Sequence, residues 1–201
     1  MGWKSPLAWL LVMLINMFAV ASSAHAGDQS IKLYELLKQP GHIAFMRHAW
    51  APFEGAPRGQ EISAETLGPC ETQRNLDAKG RADAKRIGEA FRSNGVTFDA
   101  VYASKWCRTK ETADLVTGRS VDNLALINSF YTDPDKSKGP KQIARLKAYL
   151  NTEVTSNARL LMVTHGSLIT ALTGIDTDEA EIVVVKADGK GGVVVVGRGV
   201  P

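Results

Sequence analysis

From residue 31 onward, short blocks of helical and strand patterning alternate along the chain. Residues 31–38 (IKLYELLK) place apolar side chains at helical spacing and stop at the breaker pair Pro40-Gly41. Residues 42–46 (HIAFM) form a short apolar run that predicts a buried strand. Residues 49–76 are rich in Pro, Gly and polar side chains, and a loop of that length in a compact domain usually serves a site. Residues 77–94 predict an amphipathic helix, with Ala84, Ile87 and Phe91 on one face and Gly95 as its stop. A second strand over 98–103 (FDAVYA) precedes a helix over 106–116, and 124–127 is expected to be a third strand. Residues 141–150 predict a helix burying Ile143, Leu146 and Leu150; LLMV at 160–163 is a fourth strand, followed by a helix near 167–172. Residues 181–196 read as two valine-rich strands around Asp188-Gly189, forming a closing edge hairpin. This alternation predicts an α/β fold, a three-layer α/β/α sandwich around a largely parallel sheet. No internal repeat or second domain interrupts it.

The amino terminus breaks this pattern. Lys4 supplies a positive charge, Leu7 to Val20 an apolar stretch, and Ala24-His25-Ala26 a small-x-small cleavage site. That is the layout of a secretory signal peptide over residues 1–26, leaving a domain over 27–201 in the periplasm or outside the cell. Of the 201 residues 44% are hydrophobic and 22% charged, which fits one globular domain and excludes a disordered chain. The formal charge of +3 falls to +2 once Lys4 is removed (3 − 1), with the basic residues scattered, so a nucleic-acid face is not expected. Cys70 and Cys107 are too few for a disulfide-built scaffold. An even count in an oxidising compartment predicts a bond between them, closing a loop of about 38 residues and stabilising by roughly 3–4 kcal/mol. Neither is followed by Arg six positions later, as a cysteine phosphatase would require.

The chemistry collects after three of the strands. Arg47-His48 follow HIAFM, Ser104 and Arg108 follow FDAVYA, and Thr164-His165-Gly166 follow LLMV. Ligands of open α/β sheets bind outside the carboxyl ends of the strands, so these groups are expected at one rim, with His42 at the other end. Two guanidinium forks and two imidazoles suit a phosphate dianion, and a histidine beside it can attack phosphorus.

These blocks resemble the signatures of the histidine phosphatase superfamily, in its phosphoglycerate-mutase-like branch. The resemblance is carried by Arg47-His48-Ala49, Ser104-x-x-x-Arg108-x-x-x-Thr112-Ala113 and Val163-Thr164-His165, with Asn75-Leu76-Asp77-x-x-Gly80 leading into the first long helix. It spans residues 42–174 and implies a phosphoglycerate-mutase-like fold. It also implies that His48 becomes phosphohistidine, with Arg47, Arg108 and His165 holding the phosphoryl group and no metal or cofactor required. The family's general acid is a carboxylate after the third strand, which makes Asp133 the first choice, Asp135 the second and Glu54 the third. Trp50, Phe53, Arg58, Gln73 and Arg74 are expected to border the pocket, with Arg58, Gln73 and Arg74 contacting substrate.

The implied activity is that of an exported, metal-independent phosphomonoesterase acting on a small phosphate ester as a monomer, without nucleic-acid or membrane partners. A phosphoglycerate-mutase-like phosphotransferase and a non-catalytic phosphosugar-binding protein are the alternatives. Signal peptide, short core and closing hairpin also resemble periplasmic phosphatases acting on a cell-envelope phosphosugar.

Overall fold

The computed structural model describes residues 32–54 and 63–201. The signal-peptide assignment over 1–26 and the substrate contact expected of Arg58 therefore lie outside the described residues. Six strands form one sheet: β1 (Ile43–Arg47), β2 (Ala100–Ala103), β3 (Asp122–Asn123), β4 (Leu160–Thr164), β5 (Ile182–Ala187) and β6 (Val193–Gly199). Their order is β3-β2-β4-β1-β5-β6, with β1 to β4 parallel and the last hairpin antiparallel. The helices are α1 (32–38), α2 (Ala78–Ser93), α3 (Cys107–Thr117), α4 (Lys138–Thr152) and α5 (Gly166–Thr173).

Strand alternation assigns the two layers. Ala44, Met46, Leu161, Val163, Ile182 and Val184 point to one face, where they meet Leu33 and Leu37 of α1, Ile87 and Phe91 of α2, and Val116 of α3. Their neighbours Ile43, Phe45, Leu160, Met162, Val183 and Val185 point to the other, against Ile143 and Leu146 of α4 and Leu168 and Ile169 of α5. Because helices cover both faces, β1 and β4 are apolar on both faces up to their last residues, Arg47 and Thr164. Among the described residues no helix is long and apolar enough to cross a membrane.

One expectation needs correction. The third strand comes earlier than 124–127: only Asp122 and Asn123 pair with β2, and Ala125–Ile127 turn into a 3-10 helix that buries Ile127 in the second core. The tail hairpin closes one edge of the sheet as expected, with β5 pairing with β1 and β6 forming the edge strand.

The loop after β1 is held by close backbone packing. A Cβ on Gly80 would lie 2.0 Å from the Trp50 carbonyl oxygen, so only glycine lets the first turn of α2 approach this loop. Asp77 caps that turn by accepting the Gly80 N–H at 2.8 Å.

Candidate active site

Register brings the three motif blocks to one rim. Arg47 pairs with Thr164 and Ala103 with Val163, so the residues that follow, His48, Ser104 and His165, leave the sheet side by side. Backbone bonds fix the His48 segment from two sides: His48 N–H donates to Thr164 O at 3.0 Å, and Ala180 N–H donates to His48 O at 3.1 Å. Thr112 joins the loop to α3, accepting Ala49 N–H at 3.1 Å and donating to Arg108 O at 2.7 Å. His42 lies at the far end of β1, where its ring Nδ1 contacts Leu36 O at 2.6 Å.

Above this rim opens a cleft of about 710 Å³ lined by Arg47, His48, Arg74, Arg108 and His165. His48 is only 2% exposed. Its Nδ1 lies 2.8 Å from the Ala49 carbonyl oxygen, which can only accept, so Nδ1 carries the proton and the lone pair sits on Nε2. That nitrogen is 3.4 Å from Arg74 Nη2. Burial first, then the Arg108 charge and more weakly those of Arg74 and Arg47, push the His48 pKa well below the ordinary imidazole range; the bond to Ala49 opposes them. The ring is therefore neutral at pH 7.

His165 is displaced in the same direction, by burial and then by Arg108, His48, Arg74 and Arg47. Its ring stands edge-on to His48 at 5.7 Å and to Trp106 at 5.2 Å. Ser104 Oγ lies 2.8 Å from His165 Nε2 and 2.6 Å from Thr109 Oγ1. The Thr109 proton goes to a carbonyl, that of Trp106 or Ser104, so Ser104 donates to Thr109 and accepts from His165. The serine of the second motif thus sets the tautomer of the third-motif histidine.

Other side chains orient the guanidiniums. Arg47 donates through Nη1 to Thr177 O and through Nη2 to Glu179 Oε1, both at 2.5 Å. Arg108 Nη1 donates to Arg74 O at 3.2 Å, and Arg74 Nη1 donates to Ala51 O at 2.5 Å. The Cys70–Cys107 disulfide, with Cα atoms 5.7 Å apart, ties the long loop to the helix that carries Arg108. Gln73 reinforces that tie, accepting Cys107 N–H at 3.0 Å and donating to Gly68 O at 2.7 Å.

Of the residues expected to border the pocket, Phe53 and Arg74 line it. Gln73 does not: both ends of its amide are used in fastening the loop to α3, so it positions rather than contacts substrate. Trp50 also lies off the cleft, with Lys79 5.9 Å from its ring centre. Asp133 is buried, but it faces a turn, accepting from Asp135 N–H at 2.9 Å and pairing with Lys138 at 3.0 Å. Neither it nor Asp135 nor Glu54 lines the cleft. The carboxylate that does so, among the described lining residues, is Asp176, which accepts the Thr170 hydroxyl at 2.8 Å. Asp176 and Glu179 carry no local sequence signal, since a loop carboxylate gains meaning only from what the fold sets opposite it.

The family model of the histidine phosphatase superfamily (branch 1) matches residues 45–128, the stretch holding Arg47, His48 and Arg108. Over that stretch the chain is similar to the histidine phosphatase superfamily. No curated protein matches it in sequence. Among solved structures, phosphoserine phosphatase from Entamoeba histolytica is similar with a TM-score of 0.57 and 15% identity, over 78% of this chain and 95% of that one. The alpha-ribazole phosphatase from Shigella flexneri gives 0.55 and 15%, over 78% and 95%. The protein histidine phosphatase SixA, complexed with tungstate, gives 0.52 and 19%, again over 78% and 95%. At these identities the likeness speaks for the fold alone. The superfamily match covers the first two motif blocks, and the β1–β4 register adds His165 to them.

Proposed function

We propose that this protein is a histidine phosphatase, an exported phosphomonoesterase that works without a metal and passes through a phosphohistidine on His48. One observation carries the reading: the Nε2 lone pair of a neutral, buried imidazole sits 3.4 Å from a guanidinium in a cleft lined by two more. A phosphate monoester seated there has its nonbridging oxygens neutralised by Arg47, Arg74 and Arg108, the role a metal fills in other phosphatases. Nε2 attacks phosphorus, the N–P bond forms and the ester P–O bond breaks, and the leaving oxygen takes a proton. Nδ1 keeps its proton and its hydrogen bond to the Ala49 carbonyl throughout, so the ring keeps its orientation. Water then attacks the phosphohistidine, the N–P bond breaks, its electron pair returns to Nε2, and phosphate leaves. By placement Asp176 is the proton donor to the leaving oxygen, recovering a proton from the attacking water. The phosphate dianion stabilises a protonated His165, whose charge burial and the neighbouring Arg108 otherwise disfavour.

Export is supported by the layout of residues 1–26 and by the Cys70–Cys107 bond, since disulfides persist in oxidising compartments. Export in turn favours a cell-envelope phosphosugar as substrate. The test is phosphate release from a panel of phosphomonoesters, with and without chelator, by purified protein and by His48→Ala. The reading expects chelator-insensitive hydrolysis that falls by about 10³-fold or more in the variant. Wild-type activity in His48→Ala would refute it.

A further inference from the structure

We propose that Phe53 and Tyr131 form an aromatic mouth that holds a ring on the leaving group, so that preferred substrates are phosphate monoesters whose organic part offers a flat apolar face. The proposal rests on the phosphoryl reading of the cleft floor and specifies what binds above it. Five large hydrophobic side chains are exposed among the described residues, and the two most exposed, Phe53 at 77% and Tyr131 at 74%, line the cleft. The other three, Trp50, Val194 and Val200, do not. Single exposed apolar groups are ordinary, but here two exposed rings line one cleft.

Both rings come from irregular segments, Phe53 after β1 and Tyr131 before α4, so neither is exposed as the outer face of a helix or strand. Neither carries the charge needed to hold a phosphoryl group. Phe53 has the Arg74 guanidinium 4.0 Å from its ring centre, and its exposure leaves the rest of the ring to solvent. Arg74 also reaches His48, so the ring surface begins where the phosphoryl floor ends. A cleft of about 710 Å³ has room for much more than phosphate and falls within the range that encloses a sizeable organic ligand. The shared chemistry of the occupant is a ring face, whether aryl or the CH face of a sugar, and stacking on two aromatic side chains is worth about tenfold in affinity.

The first test measures binding of benzylphosphonate and methylphosphonate, which are not hydrolysed, to purified protein and to a Phe53→Ser/Tyr131→Ser variant by calorimetry. The benzyl ligand should bind about tenfold more tightly, and the ratio should fall below about threefold in the variant. Using the ratio cancels any loss at the phosphoryl floor common to both ligands. A second pair, glucose 6-phosphate against glycerol 3-phosphate, is measured on His48→Ala with and without the two substitutions, so that the ligand is not consumed. A variant-sensitive preference in the first pair supports an aryl face, and one in the second supports a sugar face. Ratios near one in both pairs, or ratios that survive the substitutions, would overturn the proposal. Failure of the phosphatase reading looks different: benzyl phosphate would release no phosphate while the phosphonate preference stood.

Discussion

Arg74 joins the nucleophile, the loop after β1 and the aromatic mouth, and replacing it gives a prediction with two readouts. Arg74→Met removes a guanidinium whose Nη2 is 3.4 Å from His48 Nε2 while keeping much of the side-chain volume. The lost donor lies where negative charge builds on the transferring phosphoryl group, so kcat should fall by about 10²–10³, or about 2.7–4 kcal/mol. The second readout is the acid limb of kcat/KM against pH. A positive neighbour disfavours the imidazolium, so its removal raises the His48 pKa and moves that limb to higher pH. Burial and Arg108 remain the larger causes, so the limb should still lie below the ordinary histidine value of 6.5. Arg74→Lys keeps a charge but loses the planar fork, and should restore more of the pH profile than of the rate. Steady-state kinetics between about pH 4 and 8, with the His48 ring followed by NMR, make the test. A rate loss below about threefold, or an acid limb that moves down, would refute the placement of Arg74 at the reacting nitrogen.

Three further outcomes follow from the same geometry. Asp176→Asn should slow ethyl phosphate far more than p-nitrophenyl phosphate, whose leaving group needs no proton, and equal slowing would remove Asp176 from the proton step. The Cys70→Ser/Cys107→Ser variant should lose roughly 3–4 kcal/mol of stability, seen as a fall in Tm on the order of 10 °C; an unmoved transition would show that the bond constrains little. Ala180 holds a left-handed backbone with φ of 64°, so Ala180→Gly should gain about 0.5–1 kcal/mol and raise Tm by about 2 °C, whereas a lower Tm would mean the strain is already relieved.

Where local pattern and tertiary packing agree, the sequence was a sufficient guide. Asp77 and Asn94 cap the helix expected between them, the apolar runs became the central strands, and the motif histidines and arginines left them at one rim. The Cys70–Cys107 bond expected from the even cysteine count also forms. Legibility ended in the irregular segments. Asp133 looked like an acid because it follows the third strand, but the turn it makes with Asp135 and Lys138 consumes its oxygens. Gln73 looked like a polar pocket residue and instead fastens the loop to α3, an arrangement invisible until the disulfide sets those segments together. Glu179 meets Arg47 across 132 positions of chain, which no local window contains.

The phosphohistidine can be tested most directly by rapid acid-free quenching of the protein during turnover, followed by peptide mass spectrometry. The account predicts one added phosphoryl group on the peptide bearing His48, labile to acid and stable to base, and absent from His48→Ala. Turnover with no such adduct, or with the phosphoryl group on another residue, would contradict it.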